Sequence, residues 1–268
     1  MAQARLEGTL DRLGRQTLQL LHETGAVALL LGRAARWIGR GTLEWPQTVR
    51  QMARVGVESI PIILVTGACE QHGYLSLLTD IRIPWAIATA VGEREGVLVA
   101  PPLNFGCSAS FAAYPGTISL STETFNRVVV ELVSDLYRQG FRRILILNGH
   151  GGNHGMRPAL VELINRLPGL RLAVHNWWDS PSAQALCREV GLPGAHANWL
   201  ENFPFTRVAE TPSEAKPLVT HSPFDPPERV RQALGDGSAG GPYQADDAIM
   251  DRLFNVAVEE ALAILRAL

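Results

Sequence analysis

Two short runs of branched aliphatic residues constrain this chain more than any other feature. Ile60 to Val65 is a near-continuous apolar run rich in Ile and Val, closed by Gly67. Arg142 to Leu147 runs Ile-Leu-Ile-Leu after two arginines. Strands without polar alternation are buried on both faces, which is the condition of a parallel sheet covered by helices. Val97 to Ala100 and Leu172 to Asn176 read as further strands. Between them, Ile83–Val91, Ser121–Gln139 and Met156–Arg166 read as helices, and Asp247–Leu268 as a closing amphipathic helix. Ser121 or Thr122 caps the second helix and Gly140 ends it. Residues 103–117 read as a long loop and 180–250 as irregular. The expected fold is α/β, a mainly parallel sheet flanked by helices over 57–268, with an N-terminal helical extension over 1–56.

Composition narrows the functional classes. Of 268 residues, 19% are charged and the net charge is -2, with no basic run dense enough for nucleic acid. Cys69, Cys107 and Cys187 form no CxxC pair, so neither a disulfide framework nor a thiolate zinc site is expected. No stretch reaches the roughly 18 apolar residues of a membrane span. The N-terminus lacks the pattern of a signal peptide, so a cytoplasmic protein without membrane association is expected.

The chemistry collects past the strand ends, where ligands bind in α/β sheets. After the first run come Glu70, Gln71 and His72, then Asp80. After the second come Asn148-Gly149-His150-Gly151-Gly152-Asn153. A third polar group, His196 to Glu201, lies in the irregular region. Imidazole and carboxylate ligands suit zinc, manganese or iron. Glu70 and His72 are placed to serve adjacent ions, and Asp80 can bridge them with its two oxygens. From residue types alone, ordinary caps and hydrogen-bonded loop residues explain these positions equally well. Trp177, Trp178, Tyr74 and Ser108 are candidates to line a substrate pocket.

These pieces together resemble the creatininase (creatinine amidohydrolase) family. The similarity rests on Gly67-Ala68-Cys69-Glu70-Gln71-His72-Gly73, Thr79-Asp80, Pro101-Pro102-Leu103, Tyr114-Pro115-Gly116-Thr117 and Asn148 to Asn153, in that order. The resemblance implies a hydrolase with two divalent metal ions, Zn, Mn or Fe, that cleaves a C–N bond of a small-molecule amide, lactam or formamide with a metal-activated water. It implies homo-oligomers, often hexamers. Glu70 and His150 would hold one ion, His72 the other, and Asp80 would bridge. Where creatininase carries a Glu two residues after the His, this chain has Gly152, and Glu201 is the candidate replacement. His196 matches the histidine that passes a proton to the leaving nitrogen. The apolar stretch Tyr74 to Leu78 departs from the family loop and argues against creatinine itself as substrate. Two alternatives follow from these departures: ring opening of a keto-sugar or cyclitol, and a metal-free scaffold or membrane-associated binding protein. Gln51 to Pro61 is also similar to a segment of lipid-transport permeases.

Overall fold

In the computed structural model, the structure describes residues 60–268 together with 25, 29, 31–33, 35, 36 and 56. The chain divides into two compact units, Met1–Ala53 and Arg54–Leu268. The described residues of the first are helical. Most of the expected extension over 1–56, and most of the permease-like stretch, lies outside the described residues.

In the second unit, β1 (Ile62–Thr66) leads to α1 (Thr79–Glu95) and β2 (Leu98–Val99); α2 (Thr122–Arg138), β3 (Arg143–Asn148), α3 (Met156–Ile164) and β4 (Arg171–Asn176) follow, and α4 (Pro181–Val190), α5 (Pro227–Leu234) and α6 (Asp247–Ala267) complete it. The sheet order is β2-β1-β3-β4, and every pairing is parallel. Alternate residues of β1 and β3 face opposite layers. Ile63, Val65, Leu145 and Leu147 join a core shared with α1, α4 and α6. Ile62, Leu64, Ile144 and Ile146 join a second core with α2 and α3. Burial on both faces explains the unbroken apolar reading of these strands.

The strand order reverses between β1 and β3. From β1 the chain steps outward to β2, then returns to the other side with β3 and β4. At such a reversal the connections leave in opposite directions and open a crevice at the strands' carboxyl ends. β1 runs into the segment bearing Glu70 and His72, and β3 into the segment bearing His150.

Three elements differ from expectation. α1 begins at Thr79, four residues before the expected Ile83, so Asp80 lies in its first turn. Pro84 sits inside that helix; it offers no N–H to the carbonyl of Asp80, its i−4 partner. α4 and α5 occupy the segment expected to be irregular. α4 carries ordinary punctuation: Ser180 Oγ accepts from Ala183 N at 3.1 Å, Pro181 opens the first turn, and Gly191 closes it at φ 70. Among the described residues, no helix is long and apolar enough to cross a membrane.

Candidate active site

Glycines bring the site together. A Cβ on Gly67 would stand 2.2 Å from Asp80 O, and one on Gly149 would stand 1.9 Å from the same atom. The first turn of α1 can therefore lie directly on the ends of β1 and β3. Two asparagines then tie the strand ends to the loops above them. Asn148 Oδ1 accepts from Thr66 Oγ1 at 3.0 Å, and Asn148 Nδ2 donates to His150 O at 2.8 Å. Asn153 Nδ2 donates to Gly67 O at 3.1 Å, while its Oδ1 accepts from Cys107 N at 3.1 Å. Both side chains are fully buried. These positioning roles were not read from the sequence, although the Asn-Gly-His-Gly-Gly-Asn pattern was its signal.

Five of the expected site residues meet at this crevice, and Glu70, His72, Asp80, His150 and Glu201 are all buried. Their atoms form two groups sharing Asp80: Glu70, Asp80 and His150, and His72, Asp80 and Glu201. Within each group the potential ligand atoms lie within 4.8 Å of one another. A third group joins Glu70 and His72 with His196.

Each imidazole is anchored through one ring nitrogen to a backbone carbonyl. His72 Nδ1 lies 2.9 Å from Glu70 O, His150 Nε2 lies 3.0 Å from Cys107 O, and His196 Nε2 lies 2.9 Å from Gln71 O. A carbonyl only accepts, so the anchored nitrogen carries the proton. The other nitrogen then faces carboxylates. His72 Nε2 is 3.0 Å from Asp80 Oδ1 and 3.9 Å from Glu201 Oε2. His150 Nδ1 is 2.8 Å from Asp80 Oδ2, and His196 Nδ1 is 3.8 Å from Glu70 Oε1. Close as these atoms lie, His72 Nε2 and Asp80 Oδ2 are buried without a well-aligned hydrogen-bond partner.

The electrostatics call for a cation. Burial opposes a charge on His72, but the carboxylates of Asp80, Glu201 and Glu70 outweigh it and raise the ring to about 10. Burial likewise opposes a charge on His150, and Glu70 and Asp80 raise it to about 9. Asp80, despite burial, is held well below the carboxylate range by His72 and His150. Burial, reinforced by Asp80 and opposed by His72, pushes Glu201 up to about 7. His196 moves the other way: burial and the charge of His72 lower it to about 4. Carboxylates crowded out of water attract positive charge, which protons on the imidazoles or a metal ion can supply, and the two orphaned ligand atoms, His72 Nε2 and Asp80 Oδ2, fit the metal ion. The residues present fit two divalent cations.

The turn bearing His196 and Glu201 is shaped by strain and capping. Ala197 has φ 53, the left-handed region that a non-glycine residue seldom enters. Its N–H donates to Glu201 Oε2 at 2.6 Å. Asn198 Oδ1 accepts from Leu200 N at 3.0 Å and fixes the next turn. Phe111 covers His196, with ring centroids 4.6 Å apart.

A cavity of about 430 Å³ opens over the cluster, lined in part by Ser108, Trp178 and His196. Trp177 and Tyr74, expected to line it, do not. Trp177 is only 1% exposed and packs edge-on against Phe203 in the core. Tyr74 packs edge-on against Tyr243. At position 152 a Cβ would stand 1.9 Å from Cys107 O, so the loop carbonyl that anchors His150 occupies the room a side chain would need.

The fold is a parallel α/β sheet with a buried cluster of potential metal ligands at its carboxyl edge, and comparison supplies the family. The creatininase family model, described as creatinine amidohydrolase, matches residues 43–265, and the chain belongs to that family. A creatinine amidohydrolase from Pseudomonas putida is 31% identical over 173 residues, covering 59% of this chain and 64% of the relative. A mycofactocin precursor peptide peptidase from Mycolicibacterium smegmatis is 38% identical over 113 residues, covering 39% of this chain and 45% of the relative. The chain thus spans less than two thirds of the length of these curated relatives. A solved manganese form of creatininase superposes with a TM-score of 0.63 and 27% identity, covering 84% of this chain and 96% of that one.

Proposed function

We propose that this protein is a binuclear metal-dependent amidohydrolase that cleaves a C–N bond of a small molecule. The observation that carries this reading is the set of anchored imidazoles, each turning its second nitrogen onto carboxylates from a different segment. Glu70, Asp80 and His150 would hold one divalent ion, and His72, Asp80 and Glu201 the other, with Zn, Mn or Fe suited to these donors. Two ions there would supply a nucleophilic water at neutral pH and polarise the substrate carbonyl.

The chain's own residues do the rest. Asp80 would serve both ions, since its two oxygens face His72 and His150 separately. Carbonyl anchoring holds His72 and His150 in one tautomer, the role that outer contacts play for metal-binding histidines. His196, partly buried and biased to its neutral form, offers Nδ1 as a base at the cavity wall. It takes a proton from the attacking water there and delivers it to the departing nitrogen as the C–N bond breaks. Phe111 limits water access to that ring. Function as a cytoplasmic homo-oligomer, a hexamer in the family pattern, completes the proposal.

Elemental analysis of the purified protein, paired with Glu70→Gln and His196→Ala, tests it. Glu70→Gln should lose metal and activity together. His196→Ala should keep its metal and lose turnover by about 10²–10⁴-fold. Full metal content and activity in Glu70→Gln would refute the ligand assignment. A panel of lactams, formamides, peptides and keto-inositols separates C–N hydrolysis from ring opening of a cyclitol.

A further inference from the structure

His196 is held from two sides by one loop, residues 234–241, that carries none of the proposed ligands. Its main-chain carbonyl accepts from Ala239 N at 3.0 Å. Its ring Nε2 rests on Gln71 O at 2.9 Å, and the Gln71 side chain reaches the same loop. Gln71 Nε2 donates to Asp236 O at 3.2 Å and to Gly73 O at 3.3 Å. Gly237, at φ 97, allows that approach, because a Cβ there would stand 2.6 Å from Gln71 Cγ.

A single ammonium shapes the loop. Lys216 Nζ donates to Leu234 O, to Asp236 Oδ1 at 2.6 Å and to Ser238 O at 2.7 Å, which uses every N–H it has. Asp236 Oδ1 also accepts from Ser238 N at 3.0 Å, and Asp236 Oδ2 accepts from Tyr243 OH at 2.6 Å. The two side chains are only 19% and 25% exposed, and charge-assisted bonds largely shielded from water are the strong kind. Neither Lys216 nor Asp236 lines the cavity, whereas Leu234 and Ala239 of the loop do. A ring that offers Nδ1 to the cavity must keep its proton on Nε2, and that depends on where Gln71 O stands.

We propose that Lys216 and Asp236 are positioning residues for His196, acting through the 234–241 loop and Gln71 to fix the orientation and tautomer of its ring. The proposal rests on the reading of His196 as the group that delivers a proton to the departing nitrogen.

The test makes Lys216→Met in two backgrounds of the manganese-loaded full chain, the unaltered protein and His196→Ala. Both are assayed on the best amide of the lactam, formamide and peptide panel, with metal content measured throughout. In the unaltered protein, kcat should fall more than about tenfold, with KM within about twofold and metal content unchanged. In His196→Ala the residual kcat should fall less than about twofold, because residues that act as a unit are not additive. Equal losses in both backgrounds, or no loss in the first, overturn the proposal. Should Lys216→Met not fold, Tyr243→Phe removes only the hydroxyl on Asp236 and should show the same non-additivity with a smaller loss. If His196→Ala keeps full turnover, or if metal-loaded protein hydrolyses no amide, the reading of His196 as proton carrier fails. The crystal structure of the folded variant then decides the positioning claim. A His196 ring swung off Gln71 O upholds it, and a ring still in place overturns it.

Discussion

Asp80 Oδ2 stands 2.8 Å from His150 Nδ1, yet this buried oxygen has no hydrogen-bond partner. On the proposed reading, the two groups would be ligands of one shared ion. Because the other oxygen of Asp80 stands in the same relation to His72, one substitution reaches both proposed ion sites. Asp80→Asn should therefore lower metal content at both sites, where Glu201→Gln should affect mainly one. Elemental analysis after dialysis against a weak chelator reads the difference. Full stoichiometry in Asp80→Asn would exclude it as the bridging ligand.

Gly149 should tolerate no side chain. A Cβ there meets Asp80 O at 1.9 Å, so Gly149→Ala must lift α1 off the end of β3. We expect a loss of at least about 1–3 kcal/mol. At Gly151 nothing stands within 4 Å of the added atom, and Gly151→Ala should leave the melting temperature nearly unchanged. Urea unfolding of the pair gives the comparison.

Restoring a carboxylate at position 152 should not restore a ligand. The Cβ of any new side chain would press on Cys107 O, the atom that anchors His150 Nε2. Gly152→Glu is expected to weaken metal binding rather than strengthen it. Titration of the apoprotein with manganese measures the sign directly.

Asn153→Ala should loosen the site without touching a ligand. It removes the bonds to Gly67 O and Asn148 Oδ1 and leaves Cys107 N without its partner. Leaving buried groups unpaired costs roughly 1–3 kcal/mol each. Both the melting temperature and the metal affinity should fall, while the ligand set stays complete.

Acid sensitivity should arise partly at Asp236. Burial would raise this carboxyl, but donors on Lys216, Tyr243 and the Ser238 backbone bring it below its ordinary value of 3.8. A folded-state value below the unfolded one means that the unfolded chain binds the proton more readily. The stabilisation is complete above the ordinary value and disappears as pH falls through the lowered one. Melting curves from pH 6 to about pH 2 should show this acid limb, and Asp236→Asn should flatten it.

Much of this architecture was legible in the residues. The apolar runs gave β1 and β3, because burial on both faces removes the polar alternation of other strands. Glu70, His72 and His150 follow those strands closely, so their place at the crevice could be read from order along the chain. Asp80 and Glu201 were recognisable as ligand types, but their approach depends on glycines and a left-handed Ala197, which constrain backbone paths and not side-chain pattern. The carbonyl anchors on Cys107, Gln71 and Glu70 left no trace, since any residue supplies a carbonyl. α4 and α5 were hidden by neighbouring Pro and Gly, although Ser180-Pro181 and Gly191 bracket α4. Aromatic identity alone could not tell that Trp177 points into the core and Trp178 toward the cavity.

The reversal of strand order between β1 and β3 has a mechanical consequence. It gathers donors from the β1 and β3 exits, from the start of α1 and from the distant turn at Glu201. An ion bound there would act as a non-covalent cross-link, closing several long loops at once. Loop closure of this kind lowers the entropy of the unfolded chain, as a disulfide does. Metal loading should therefore tie separate parts of the sheet into one cooperative unit, visible as a sharper unfolding transition and as slower amide exchange along β1 and β3.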